Sequence, residues 1–107
     1  MDTIYALSTA QGKAGVAVIR VSGPRALDAC QAICGDIPAF RRASLRALRD
    51  QDGVRLDEAL VLTFPEHQSF TGEPVVEFQV HGSIAVVSAV LDALAKIDGL
   101  RSVSYTH

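Results

Sequence analysis

The sequence has no apolar run approaching the roughly 18 residues needed to cross a membrane as a helix. Its opening, Met1-Asp2-Thr3, lacks the basic segment and apolar block of a secretory signal. Charge of one sign is also missing. Ten basic and twelve acidic side chains leave a formal charge of -2, which excludes the strongly basic face of a self-sufficient nucleic-acid binder. The only cysteines, Cys30 and Cys34, stand four apart on a predicted helix with no second pair at metal-ligand spacing. They read as buried thiols on an apolar stripe, against a metal or redox site as the alternative. The loop Gly12 to Gly15 contains a lysine but fails the phosphate-loop pattern, since Ala14 follows Lys13 and no glycine lies five positions upstream. A backbone nest or a tight strand connection remains for it. No internal repeat or low-complexity linker is present.

What is present suits one small globular domain over residues 1–107. The chain is 49% apolar and 21% charged, and a domain of this size buries somewhat over about 60% of its unfolded surface. Residues 2 to 8 predict a strand, and residues 16 to 22 a nearly all-apolar second strand placed centrally in a sheet. Ser22-Gly23-Pro24 marks a helix entrance with the proline near the first helical position. Ala26, Leu27, Cys30, Ile33 and Cys34 then recur at helical spacing, and Gly35 caps the end. Arg41 to Arg49 has mixed periodicity. The turn Asp50-Gln51-Asp52-Gly53 separates two possible antiparallel strands, the second over about Asp57 to Phe64.

A further strand begins after Pro74. A second helix runs from Gly82-Ser83 to about Ile97, with Ile84, Val87, Val90, Leu91, Leu94 and Ile97 as its stripe. Asp98-Gly99 stops it, and Arg101 to Tyr105 adds a short last strand. The sum is an α+β domain, a mixed β-sheet covered on its apolar side by two helices. The ending at His107 suits either a small protein or a fragment of a longer one.

Candidate chemistry concentrates between Ser69 and Gly82. Strand alternation sends Val76, Phe78 and Val80 to one face and Val75, Glu77, Gln79 and His81 to the other, setting a carboxylate, an amide and an imidazole in a row. Arg20 shares a face with Val16, Val18 and Ser22, and needs an anion, a carboxylate or a solvent-facing surface. Glu77 either pairs with Arg20 or accepts two parallel N–H donors from an amino-pyrimidine edge. His81 is a local capping or hydrogen-bonding residue or, alternatively, a base. The loop Ser69-Phe70-Thr71-Gly72-Glu73 lines a ligand or dimer contact through Phe70, or is a turn whose phenylalanine tucks into its own core.

Four segments taken together resemble the N-terminal domain of the bacterial tRNA-modification GTPase family that acts on the wobble uridine. They are Asp2-Thr3-Ile4, Gly15-Val16-Ala17-Val18-Ile19-Arg20-Val21-Ser22-Gly23-Pro24, Phe64-Pro65 before Ser69-Phe70-Thr71-Gly72-Glu73, and Val76-Glu77-Phe78-Gln79-Val80-His81-Gly82. They occur in the family's order across residues 2 to 101. The resemblance implies a fold similar to part of the folate-binding aminomethyltransferases, homodimerisation, and binding of a 5-formyl or 5,10-methylene tetrahydrofolate. It puts Arg20 and Glu77 on folate-contacting positions, Glu77 against the pterin's amino-pyrimidine edge. It implies no catalytic residue and no metal ligand in this chain.

For the whole family protein the resemblance implies a GTPase domain using GTP, magnesium and potassium. It also implies a flavin-containing partner protein, tRNA as substrate, a cytoplasmic location away from membranes, and a carboxymethylaminomethyl group installed at uridine C5. The alternative is a purely structural homodimerisation module. Three departures stand out. Ala10-Gln11-Gly12-Lys13 replaces a loop that commonly has two prolines and an arginine, and Gly82-Ser83 replaces paired glycines. Ser102 to His107 does not match the family's continuation, which carries a later folate-contacting lysine, so the resemblance implies either an altered end or an incomplete folate site.

Overall fold

The computed structural model describes residues 2–9, 15–65 and 72–103. The expectations for the Gly12 loop, for Phe70 and for Tyr105 concern residues outside that set. Eight elements follow in the order β1 (Thr3–Leu7), β2 (Val16–Ser22), α1 (Ala26–Cys34), β3 (Ser44–Arg49), β4 (Arg55–Phe64), β5 (Val75–His81), α2 (Ile84–Ala95) and β6 (Leu100–Ser102). The strands form one sheet in the order β3-β4-β5-β2-β1-β6. All pairings are antiparallel except β1 with β6. The domain is therefore α+β with a mixed sheet and two helices, as the pattern predicts.

Alternation along each strand produces the two faces. Ala17, Ile19 and Val21 on β2, Val76, Phe78 and Val80 on β5, and Ala59 and Val61 on β4 are buried together with Ala26, Ala29, Cys30 and Ile33 of α1 and Val87, Val90, Ala93 and Leu94 of α2. Fully burying a Phe78 or an Ile19 contributes on the order of 2–3 kcal/mol each, which makes this shared layer the main source of stability. The opposite face carries Arg20, Glu77, Gln79 and His81, and neither helix covers it.

Two buried threonines tie the layers together. Thr63 Oγ1 donates to the Pro38 carbonyl at 3.1 Å, and Thr3 Oγ1 accepts the Arg25 backbone N–H at 2.8 Å. The second contact corrects the expected entrance of α1. Pro24 lies in the turn before the helix, and Arg25 is the N-cap, making no side-chain capping bond of its own. A hydroxyl from β1 accepts the N-cap N–H, the donor that a Glu or Gln at N3 accepts in a capping box.

At the other end Gly35 takes the left-handed conformation, φ 84°, and its N–H reaches the Gln31 carbonyl, as predicted. The second helix stops at Ala95, short of Ile97. Ile84, expected in its buried stripe, is 71% exposed, because it begins the first turn, beyond the core layer.

Candidate functional site on the open sheet face

Register brings the two candidate residues together. Arg20 lies opposite Glu77 across β2 and β5, with Ala6 and Leu62 completing the row on the outer strands. The Arg20 Nε and Nη2 both donate to Glu77 Oε2, at 3.1 and 2.6 Å. The side chains are 41% and 19% exposed respectively. The ion pair thus exists, and it uses one carboxylate oxygen. Glu77 Oε1 accepts no hydrogen bond from a described residue. A carboxylate oxygen offers about two lone-pair directions, and Arg20 occupies both on Oε2. In this arrangement the carboxylate has one oxygen open to a further donor; a two-point grip on an amidine-like edge requires Arg20 to swing aside.

The next row along the sheet aligns Val18, Gln79 and Leu60. The Gln79 carboxamide is half-buried and makes no hydrogen bond to a described residue. His81 stands four residues from Glu77 on β5, about 13 Å by strand rise, too far to share its ligand atoms directly. It does not cap the second helix; Ser83 does, its Oγ accepting the Val86 N–H at 3.2 Å.

His81 is instead held by Asp57. The Asp57 Oδ2 accepts the His81 backbone N–H at 2.8 Å, and Oδ1 lies 2.7 Å from the ring Nδ1. Pairing of β4 with β5 ends at Leu60 and Gln79, so the aspartate takes the strand-end N–H that a β4 carbonyl no longer reaches. Sequence reading missed Asp57, which looked like an ordinary strand start. The single local sign was an acidic residue on the parity of the buried Ala59 and Val61.

The two thiols lie elsewhere, on α1. Cys30 is buried and Cys34 half-buried, and both are free. The Cys34 thiol against Cys30 holds Cys30 below the ordinary cysteine value, while that contact and burial push Cys34 above it. Nearby Arg46 is committed to Asp36 through three hydrogen bonds of 3.0–3.2 Å. Among the described residues no group of three or more His, Cys, Asp or Glu side chains is placed to hold a metal.

Comparison with known proteins gives a consistent answer. Residues 3–104 match the family model described as the N-terminus of GTP-binding protein TrmE, three positions beyond the expected limit at Arg101. The chain is 58% identical over 101 residues to the tRNA modification GTPase MnmE of Roseobacter denitrificans, covering 94% of this chain and 24% of that protein. It is 59% identical over 102 residues to the protein of that name from Ruegeria pomeroyi, covering 94% and 24%, and 57% identical over 100 residues to that of Sinorhizobium medicae, covering 94% and 23%. The chain therefore spans about a quarter of the length of these curated relatives.

Proposed function

Since the chain belongs to the family of TrmE N-termini, as the N-terminal domain of MnmE-type tRNA-modification GTPases, we propose that it binds a tetrahydrofolate derivative and homodimerises. The observation that carries the folate reading is Glu77 Oε1, which accepts no hydrogen bond from a described residue, on a sheet face that neither helix covers, with the Gln79 carboxamide, also without a described partner, one row away. These acceptors fit the N–H-bearing edge of a pterin. Glu77 receives that edge, and Arg20 holds the carboxylate oriented until the ligand arrives. Bound there, a 5-formyl or 5,10-methylene tetrahydrofolate supplies a one-carbon unit; this chain's residues bind and orient it. We assign no catalytic residue to this domain.

In this reading the domain belongs to a longer cytoplasmic protein. Its GTPase part uses GTP, magnesium and potassium, and acts with a flavin-containing partner on tRNA to install a carboxymethylaminomethyl group at wobble-uridine C5. The fold is then kin to part of the folate-binding aminomethyltransferases. A second reading, a structural homodimer module, is favoured by one observation: Arg20 already donates to Glu77 through both Nε and Nη2.

Calorimetric titration with 5-formyltetrahydrofolate separates the two. The wild type binds. Glu77→Gln, which keeps the shape but loses the charge, binds about tenfold or more weakly, the scale of one charge-assisted hydrogen bond. Arg20→Ala is also weakened. Undiminished affinity in Glu77→Gln removes Glu77 from the site, and a wild type without binding at millimolar ligand favours the structural module.

A further inference from the structure

The chain has two cysteines, and both stand in the C-terminal half of α1, on the side of the sheet away from Arg20 and Glu77. Their spacing of four puts the side chains on one face of the helix, and because helical Cα–Cβ bonds tilt toward the N-terminus, Cys34 lies over Cys30. The two thiols are in contact. Cys30 Sγ is also 3.6 Å from the Asp36 carbonyl oxygen, a weak S–H donation that holds its side chain toward the helix end. Cys30 is fully buried, whereas Cys34 is half-buried. Beside Cys34 the helix end is open, since a Cβ at Gly35 would meet nothing within 4 Å. One sulfur is therefore anchored in the core and the other lies at its rim.

Two adjacent sulfurs can be joined directly or through a third atom, and dimensions decide between the two. A disulfide needs Cβ atoms about 3.5–4.5 Å apart, whereas positions i and i+4 of a helix hold them about 5–6 Å apart. The last turn of α1 is regular, with the Gly35 N–H bonded to the Gln31 carbonyl at 2.9 Å, so a direct bond has to distort that turn. A bridging ion replaces one S–S bond of about 2.05 Å by two thiolate–metal bonds of about 2.3 Å, and spans sulfurs up to about 4.6 Å apart with the backbone in place.

The ligand count selects the ion. Structural zinc takes four ligands and iron–sulfur clusters take four cysteines, but only two thiols exist in the chain, and no group of three or more potential ligands is present among the described residues. The Asp36 carboxylate lies close enough to favour a cation at the thiols, yet Arg46 takes both its oxygens. A soft, closed-shell monovalent cation such as Cu(I) is satisfied by two thiolates. On binding, each thiol gives its proton to solvent, and two thiolates with one monovalent ion leave a single negative charge. We propose that Cys30 and Cys34 form a two-thiolate binding site for one soft monovalent cation of the Cu(I) type, entered from the Cys34 side. The site is separated from the Arg20–Glu77 row by the sheet and is independent of what that row binds.

The test is an oxygen-free titration of the purified, reduced chain against the coloured Cu(I)–bicinchoninate complex. The wild type is expected to bleach it by one copper per chain. Cys34→Ser keeps the size and loses the thiolate, and is expected to weaken uptake by about a hundredfold or more, beyond the roughly 10–100-fold cost of losing an outer partner of a metal site. Zn(II), presented on an indicator dye, is expected to stay with the dye. Copper X-ray absorption of the loaded wild type, which needs no variant, is expected to show two sulfur neighbours. No uptake by the wild type overturns the proposal. Uptake by Cys34→Ser equal to that of the wild type reduces the copper to an adventitious ion only, and overturns it too. A spectrum dominated by nitrogen or oxygen has the same force, as does zinc held as tightly as copper. Half a copper per chain, with dimerisation on loading, assigns the ion to the Cys34 thiolates of two chains and overturns the paired site within one helix.

Discussion

Gly23 shows how much a single missing side chain decides in this fold. It joins β2 to the turn before α1 at a φ of 135°, and its N–H is bonded to the Pro74 carbonyl. A Cβ built there lies 2.6 Å from Thr3 Cα and 2.7 Å from the Asp2 carbonyl oxygen. Both are backbone atoms, Thr3 at the start of β1 and Asp2 just before it, which cannot give way without disturbing the Thr3 hydroxyl bonded at the entrance of α1. Gly23→Ala is therefore expected to lower stability by about 2–4 kcal/mol, combining backbone strain with steric clash; urea denaturation followed by circular dichroism measures it. A midpoint like that of the wild type contradicts this account. The sequence marked Ser22-Gly23-Pro24 as a helix entrance from local signals alone. It gave no hint that the crowding comes from β1, because that contact is tertiary. Asp57 was hidden for the same reason: its two bonds reach His81 across 24 residues. Arg20 and Glu77 were visible because an isolated charge in an apolar strand stands out against period-two alternation. Their alignment in one row awaited the register.

Among the elements, β2 was legible to the residue: seven positions of alternating or continuous apolar character, bounded by Gly15 and Gly23, leave little freedom in where the strand starts or stops. The helices were legible in their middles and less so at their ends. Helix α1 borrows its cap from β1, and α2 breaks off before its apolar pattern does. Ile97 still packs against the core, but from beyond the last helical turn. The entrance of α2 is local and follows the rules, with Ser83 extended at φ -72°, ψ 147° and its hydroxyl serving Val86. This helix contains Val86, Val87 and Val90, β-branched residues of modest helix propensity, so its cap carries a larger share of its stability than in an alanine-rich helix. Ser83→Ala is expected to cost about 1 kcal/mol, and Ser83→Asp to recover it. Thermal melts of the two variants check the order, and an alanine variant as stable as the wild type argues that packing alone holds the helix start.

At the scale of the molecule, two helices cover one face of the sheet and neither covers the other. The two readings of that face differ in how stability responds to solution composition. If the domain binds folate, anything bound only by the native state raises the melting temperature by mass action, with about 2.7 kcal/mol gained at a hundredfold excess over the dissociation constant. If it is a structural module, the melting temperature rises with protein concentration and ignores folate. Differential scanning fluorimetry across both variables, beside sedimentation velocity, is expected to show both dependences under the proposed function. A melting temperature insensitive to each sets aside dimer and folate site together.

The pairing of β1 with β6 has a consequence for how the chain is made. Thr3, Ile4 and Tyr5 align with Leu100, Arg101 and Ser102, the Val103 N–H reaches the Tyr5 carbonyl, and Arg101 bonds Asp2 across 99 residues. During synthesis the first strand to leave the ribosome is the last to find its outer neighbour. A nascent chain stalled before Leu100 presents β1 as a bare edge, able to recruit a strand from another chain.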